Sequence, residues 1–143
     1  MEAVDVFKRI GDLKIVPVVA IDEVAAALPL ADALLEGHVP VVEITFRTSA
    51  AAHVIQVIVR ERSEMLVGAG TVLTVDSLRR AADCGATFGV APGLKPEITR
   101  EALRISFPFM PGVMTPSDIE DGLSLGFKVL KFFPAGASAV SRC

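Results

Sequence analysis

Six short runs rich in β-branched and aliphatic residues begin 20 to 26 residues apart along this chain, and an amphipathic stretch of helical period separates each from the next. The runs are residues 14–20, 39–45, 65–69, 87–90, 107–111 and 128–132. The stretches between them are 23–35, 50–62, 75–84, 96–104 and 116–125, and one further helix is expected at 2–10. Neighbouring parallel strands need a crossover of about this length, so the repeat predicts an α/β fold whose parallel sheet is covered by helices. Asp22, Ser49, Thr74 and Thr115 stand where helix N-caps belong, and Gly37, Gly85 and Gly126 stand where helices should stop.

Such a repeat builds either an open doubly wound sheet or a closed eight-stranded barrel. Alternation in the second run puts Val41, Glu43 and Thr45 on one face and Val42 and Ile44 on the other. In the sixth run Lys131 shares a face with Val129 and Phe133. One apolar face for helices, and one face holding a charge near the strand's C-terminal end, favour the (β/α)8 TIM barrel. Six βα units do not close one. The reading is therefore a single domain over residues 1–143, a barrel whose C-terminal strands 7 and 8 are missing. Its two uncovered apolar edges should drive association.

Composition sets the outer limits. Hydrophobic residues make up 52% and charged residues 22%, too apolar for a disordered chain and too charged for a membrane protein. The longest apolar run, residues 15–21, falls far short of a span. The N-terminal residues carry acids where a signal peptide would carry bases and a long apolar core, so a soluble cytoplasmic protein is expected. A net charge of −3 without basic clusters argues against a nucleic-acid partner. Cys84 and Cys143 form no CxxC, and Cys84 reads as a small core residue. His38 and His53 lack ligand-spaced neighbours, so no metal site is expected.

Two residues are out of place in apolar strands. Burial disfavours the ammonium of Lys131 and would make its amine a nucleophile; otherwise the side chain reaches solvent or pairs with a carboxylate. Glu43 lies inside Val41-Val42-Glu43-Ile44-Thr45, and a carboxylate there must be paired, hydrogen-bonded or functional. Arg47, just past that strand, suits a substrate carboxylate or is simply solvated. The Gly68-Ala69-Gly70-Thr71 and Ala91-Pro92-Gly93 segments read as tight strand-to-helix turns when taken alone. Their common placement is more telling, because Glu43, Arg47, Thr71, Pro92 and Lys131 all lie at or beyond the C-terminal ends of different strands. Barrels hold their active sites at that end.

Three stretches, Val41 to Thr48, Val67 to Leu73 and Leu130 to Ala135, resemble in sequence, order and spacing the 2-keto-3-deoxy-6-phosphogluconate / 4-hydroxy-2-oxoglutarate aldolase family. Val90-Ala91-Pro92-Gly93 and Met110-Pro111-Gly112-Val113 fall between them, and the similarity runs from about Val6 to Ala135. The resemblance implies a (β/α)8 barrel, commonly a trimer, and a class I aldolase that cleaves a keto acid to pyruvate and an aldehyde without a cofactor. It implies Lys131 as the Schiff-base lysine and Glu43 as the general acid/base. Arg47, Gly70 and Thr71 would hold the pyruvate carboxylate, and Pro92 and Phe133 would line the apolar wall. The chain departs from the family at His38, at Ala91 and after Ala135, where it lacks the usual glutamate and glycine pair. Segments with phosphate-binding loops are not found. The expected substrate is 2-keto-3-deoxy-6-phosphogluconate, with 4-hydroxy-2-oxoglutarate, or a catalytically silent fragment, as alternatives.

Overall fold

The structure, a computed structural model, describes residues 3–138. The expected helix start at residue 2 and the tail 139–143, with Cys143, lie outside the described residues. In chain order the elements are α1 (Ala3–Leu13), β1 (Val18–Val19), a 3-10 turn (Val24–Ala26), α2 (Ala27–Glu36), β2 (Val41–Thr45) and α3 (Ala51–Glu61). There follow β3 (Leu66–Gly70), α4 (Val75–Asp83), β4 (Phe88–Val90), α5 (Pro96–Arg104), β5 (Phe109–Met110) and β6 (Gly112–Val113). The last are α6 (Pro116–Ser124), β7 (Lys131–Phe132) and α7 (Ala135–Ser138).

All strand pairs are parallel, as the repeat requires, and β1 to β5 lie side by side in chain order. The run expected at 107–111 becomes two strands around Pro111, which has no N–H to give to a neighbour. Gly112 N still donates to Gly93 O at 3.2 Å, and Lys131 N donates to Pro111 O at 2.9 Å. Backbone pairing therefore continues from β4 through β6 to β7, and the six expected strand positions keep their order. Most strands are shorter than expected, β1 and β7 most clearly: β1 is two residues instead of seven, and β7 begins at Lys131 instead of residue 128.

The two faces of the sheet bury different things. Val42, Ile44, Val67 and Ala69 point toward α2 to α5. In α3, Ala51, Val54, Ile55 and Ile58 are buried at i, i+3, i+4 and i+7, the spacing that sets one helical face on a sheet. Each large aliphatic side chain buried this fully contributes about 1.5–3 kcal/mol. On the other face, Val6 of α1 packs with Val41, Leu66 and Phe88, the first residues of β2, β3 and β4, and with Val90 at the end of β4. Cys84 is buried as expected, 6% exposed. A three-way ion pair joins α4 to α5: Arg79 and Arg104 each donate to Glu101, at 2.8 and 2.7 Å. Those two guanidiniums hold the Glu101 carboxyl down at about 2.

Helix ends match the sequence reading in part. Thr74 and Thr115 both cap, each in a reciprocal box with Ser77 or Asp118. Asp22 and Ser49 do not: the helix expected from 23 opens instead as a 3-10 turn after Glu23, and α3 follows Ala50. Neither Glu23 nor Ala50 makes a side-chain cap bond, so these two starts are held by packing of the following turns instead. Gly85 and Gly126 end helices at φ +88° and +94°, values that favour glycine, whereas Gly37 ends α2 at an ordinary φ of −78°.

Candidate active site

Glu43 is the central residue of β2, between Val42 and Ile44, and is 4% exposed. Because side chains alternate across a strand, the residues that anchor β2 against the helices leave Glu43 on the opposite face. Space for its carboxylate comes from the neighbouring strand. A Cβ built at Gly70 would collide with Glu43 Oε1, so the missing side chain of Gly70 is the volume the acid occupies. Gly68, one pleat lower on β3, plays the same part for the ring of Phe88. Two glycines two residues apart thus make room first for an apolar plug and then for an acid.

Lys131 opens β7, and its Nζ lies 3.6 Å from Glu43 Oε1. The lysine side chain keeps 28% of its surface exposed, against 6% for the glutamate. The sequence left open whether Lys131 is buried or paired. It is paired and half-buried, because its strand covers fewer residues than the apolar run suggested. The same Nζ stands 5.2 Å from the centre of the Phe133 ring, within cation–π range.

Burial pushes the Glu43 carboxyl above its ordinary range. Lys131 and, more weakly, Arg47 pull the other way without cancelling the effect. A carboxyl held toward its protonated form, 3.6 Å from an amine, is placed to exchange a proton with a group bound there. Among the described residues no cluster of His, Cys, Asp and Glu could hold a metal ion.

The other expected residues surround this pair at varying distance. Arg47 lies exposed in the turn beyond β2, near enough for its charge to act on Glu43. Thr71 follows Gly70 at φ +57°, an uncommon conformation for a β-branched residue that reshapes the end of β3. Pro92 sits one strand from the lysine: its backbone fills the Cβ position of Gly112, and Gly112 pairs with Lys131 in the β6–β7 register. Glu43, Gly70, Lys131 and Phe133 therefore meet directly, while Arg47, Thr71 and Pro92 border them.

Thr45, at the end of β2 on the face of Glu43, is not among the site residues expected from the sequence. Its face was legible from the alternation, but threonine is so ordinary in a strand that it gave no alarm. Its hydroxyl is the side-chain polar atom that, among the described residues, is buried without a hydrogen-bond partner.

Comparison with known proteins places these features in a wider set. Residues 6–142 match the model of the KDPG and KHG aldolase family. The chain is 44% identical over 133 residues to a 2-dehydro-3-deoxy-phosphogluconate aldolase of Haemophilus influenzae, covering 93% of this chain and 63% of that protein. It is 40% identical to the KHG/KDPG aldolase of Escherichia coli K12, covering 87% and 58%. Among solved structures, the 2-keto-3-deoxy-6-phosphogluconate aldolase of Zymomonas mobilis ZM4 with 3-phosphoglycerate superposes with TM-score 0.82 at 39% identity, over 87% of this chain and 59% of that one. KDPG aldolase of Legionella pneumophila, with pyruvate captured at low pH as a covalent carbinolamine intermediate, gives TM-score 0.83 at 36% identity, over 86% and 60%. The chain spans less than two-thirds of the length of these relatives.

Proposed function

The chain belongs to the KDPG and KHG aldolase family, and from that premise we propose that it forms a Schiff base between Lys131 and the ketone of a 2-keto acid and cleaves the C3–C4 bond. The observation that supports this most is the Lys131–Glu43 contact at 3.6 Å, a nucleophilic amine against a proton-holding acid. The Lys131 amine adds to the C2 carbonyl, and Glu43 gives the proton that lets the carbinolamine lose water. In the iminium, Glu43 as carboxylate takes the proton of the C4 hydroxyl. The C3–C4 electron pair flows into the iminium, the aldehyde leaves, and the enamine is reprotonated at C3 before hydrolysis frees pyruvate. Arg47 and Thr71, with the Gly70 backbone, receive the keto-acid carboxylate, while Pro92 and Phe133 keep the amine's surroundings apolar. The reaction draws on no cofactor.

The substrate favoured by the names of the relatives is 2-keto-3-deoxy-6-phosphogluconate, giving pyruvate and glyceraldehyde 3-phosphate. The dual name of the Escherichia coli relative favours 4-hydroxy-2-oxoglutarate as a second substrate, giving pyruvate and glyoxylate. The architecture proposed for the whole protein is a (β/α)8 barrel in a homo-oligomer, with the parallel sheet described here as its first six strand positions. Among the described residues no helix is long and apolar enough to cross a membrane.

Borohydride reduction in the presence of pyruvate tests the mechanism. A stable adduct is expected on the peptide containing Lys131, with Lys95 and Lys128 unmodified. An adduct spread over all three lysines, or none at all, would mean that this chain has no privileged amine and is catalytically silent. Turnover of the phosphorylated keto acid against 4-hydroxy-2-oxoglutarate then ranks the two substrates.

A further inference from the structure

Thr45 occupies the last position of β2, on the same face as Glu43 and one pleat nearer the strands' C-terminal ends. It is 4% exposed, and its Oγ1 is enclosed with neither a protein donor nor an acceptor. Valine would fill nearly the same volume without stranding a hydroxyl, and a buried hydroxyl left unpaired is a net cost to folding. A β-strand preference therefore does not explain threonine here, since valine is at least as good a strand former.

Thr45 pairs in register with Gly70, and Thr71 follows directly; the place of the missing Gly70 side chain is filled by the Glu43 carboxylate, from the same face of β2. Arg47 comes two residues later in the turn beyond the strand. The hydroxyl thus belongs to the strand end that leads into Arg47, beside the strand end that leads into Thr71, and one pleat above the acid that meets the Lys131 amine. A Thr hydroxyl can donate one hydrogen bond, and a carboxylate accepts several. We propose that the Thr45 hydroxyl donates to the carboxylate of the 2-keto acid bound at Lys131, and so selects keto acids over simple ketones. This rests on the Schiff-base reading given above. Thr45 would then be a substrate-binding and specificity-determining residue whose unpaired state is a feature of the free protein alone.

The test uses the whole chain and two ketones that differ only in the carboxylate, pyruvate and acetone. Half-saturating concentrations for borohydride trapping on Lys131 are measured for wild type, Thr45→Val and Thr45→Ser. In Thr45→Val the pyruvate value should rise about 10- to 100-fold, the scale of one hydrogen bond to a charged group. The acetone value should stay unchanged, and Thr45→Ser should restore pyruvate toward wild type. Thermal unfolding of free Thr45→Val should occur at or above the wild-type midpoint, because the variant no longer buries an unpaired hydroxyl. An unchanged pyruvate value overturns the proposal. So does an equal loss for both ketones, which would assign Thr45 a purely structural part. Failure of wild type to trap pyruvate at all would instead remove the Schiff-base reading, and this inference with it.

Discussion

Glu43 and Lys131, the pair proposed to react, stand on unlike strands, one in the five-stranded sheet and one in the two-stranded sheet. Glu43 stands on β2, whose five residues are all buried and paired with β3 residue for residue. Lys131 stands on β7, two residues long, where Phe132 is 50% exposed and Phe133 is 41% exposed. One partner is fixed by packing on both faces of its strand; the other stands on a short strand paired with β6 and meets the acid. Such a division suits the Schiff-base chemistry proposed above. An acid needs a dry, fixed setting to hold its proton, while an amine that must travel from ketone to carbinolamine to iminium gains from a looser one.

Substitutions on the two parts should therefore differ sharply, and the largest effect is expected in the packed one. Phe88 is fully buried and fills the place of a side chain at Gly68, so Phe88→Ala should cost about 3–5 kcal/mol by denaturant unfolding. A loss of under about 1 kcal/mol would show that the inner face can collapse around the gap, and the contrast drawn here would fail.

Next comes the acid itself. Glu43→Gln should slow proton exchange at the pyruvate methyl by about 10²-fold or more, because an amide cannot shuttle protons. An unchanged exchange rate would remove Glu43 from the mechanism. Stability should respond too, and the sign follows from burial. With its folded value raised above the ordinary 4.5, Glu43 favours the protonated native state. Wild-type stability should fall as pH rises from 4.5 through the raised folded value, and Glu43→Gln should lack that fall. Parallel pH profiles for the two proteins would contradict the assignment.

Smallest of all, Phe132→Ser on the exposed side of β7 should change stability by no more than about 0.5 kcal/mol. A loss approaching that of Phe88→Ala would mean that in solution another surface covers β7. The comparison would then hold for the isolated chain and not for its assembly.

How far the sequence foretold this depends on how each residue makes itself visible. The faces of β2 were legible because both are packed, and the alternation of Val41, Glu43 and Thr45 with Val42 and Ile44 carries over without change. The caps at Thr74 and Thr115 were legible because each has its N3 partner in the sequence. Asp22 and Ser49 had the right chemistry at the wrong distance, and nothing local could tell that the turns after them would tighten or slip. The bounds of β1 and β7 were overread for a related reason: apolar runs continue past the residues that find a strand to pair with. Pro111 hid in plain view, since a proline in a strand was read as its end when it divides β5 from β6. The site shows the same split. Glu43 and Lys131 stood out as charges in apolar runs, whereas Thr45 and the space left by Gly70 depend on a neighbouring strand and become visible only once the register is known.

The fit of the Glu43 carboxylate into the vacancy at Gly70 also restricts how this protein can change over generations. The two positions are 27 residues apart in the gene yet share one volume, so neither can drift freely. A mutation giving residue 70 any side chain at all displaces the acid, and on β3 only a return to glycine gives the space back. A lineage could leave glycine there only after shortening or discarding the acid at 43, which passes through a protein without the acid proposed to carry its proton. Glycine at 70 and the acid at 43 are therefore tied to one another by the volume they share.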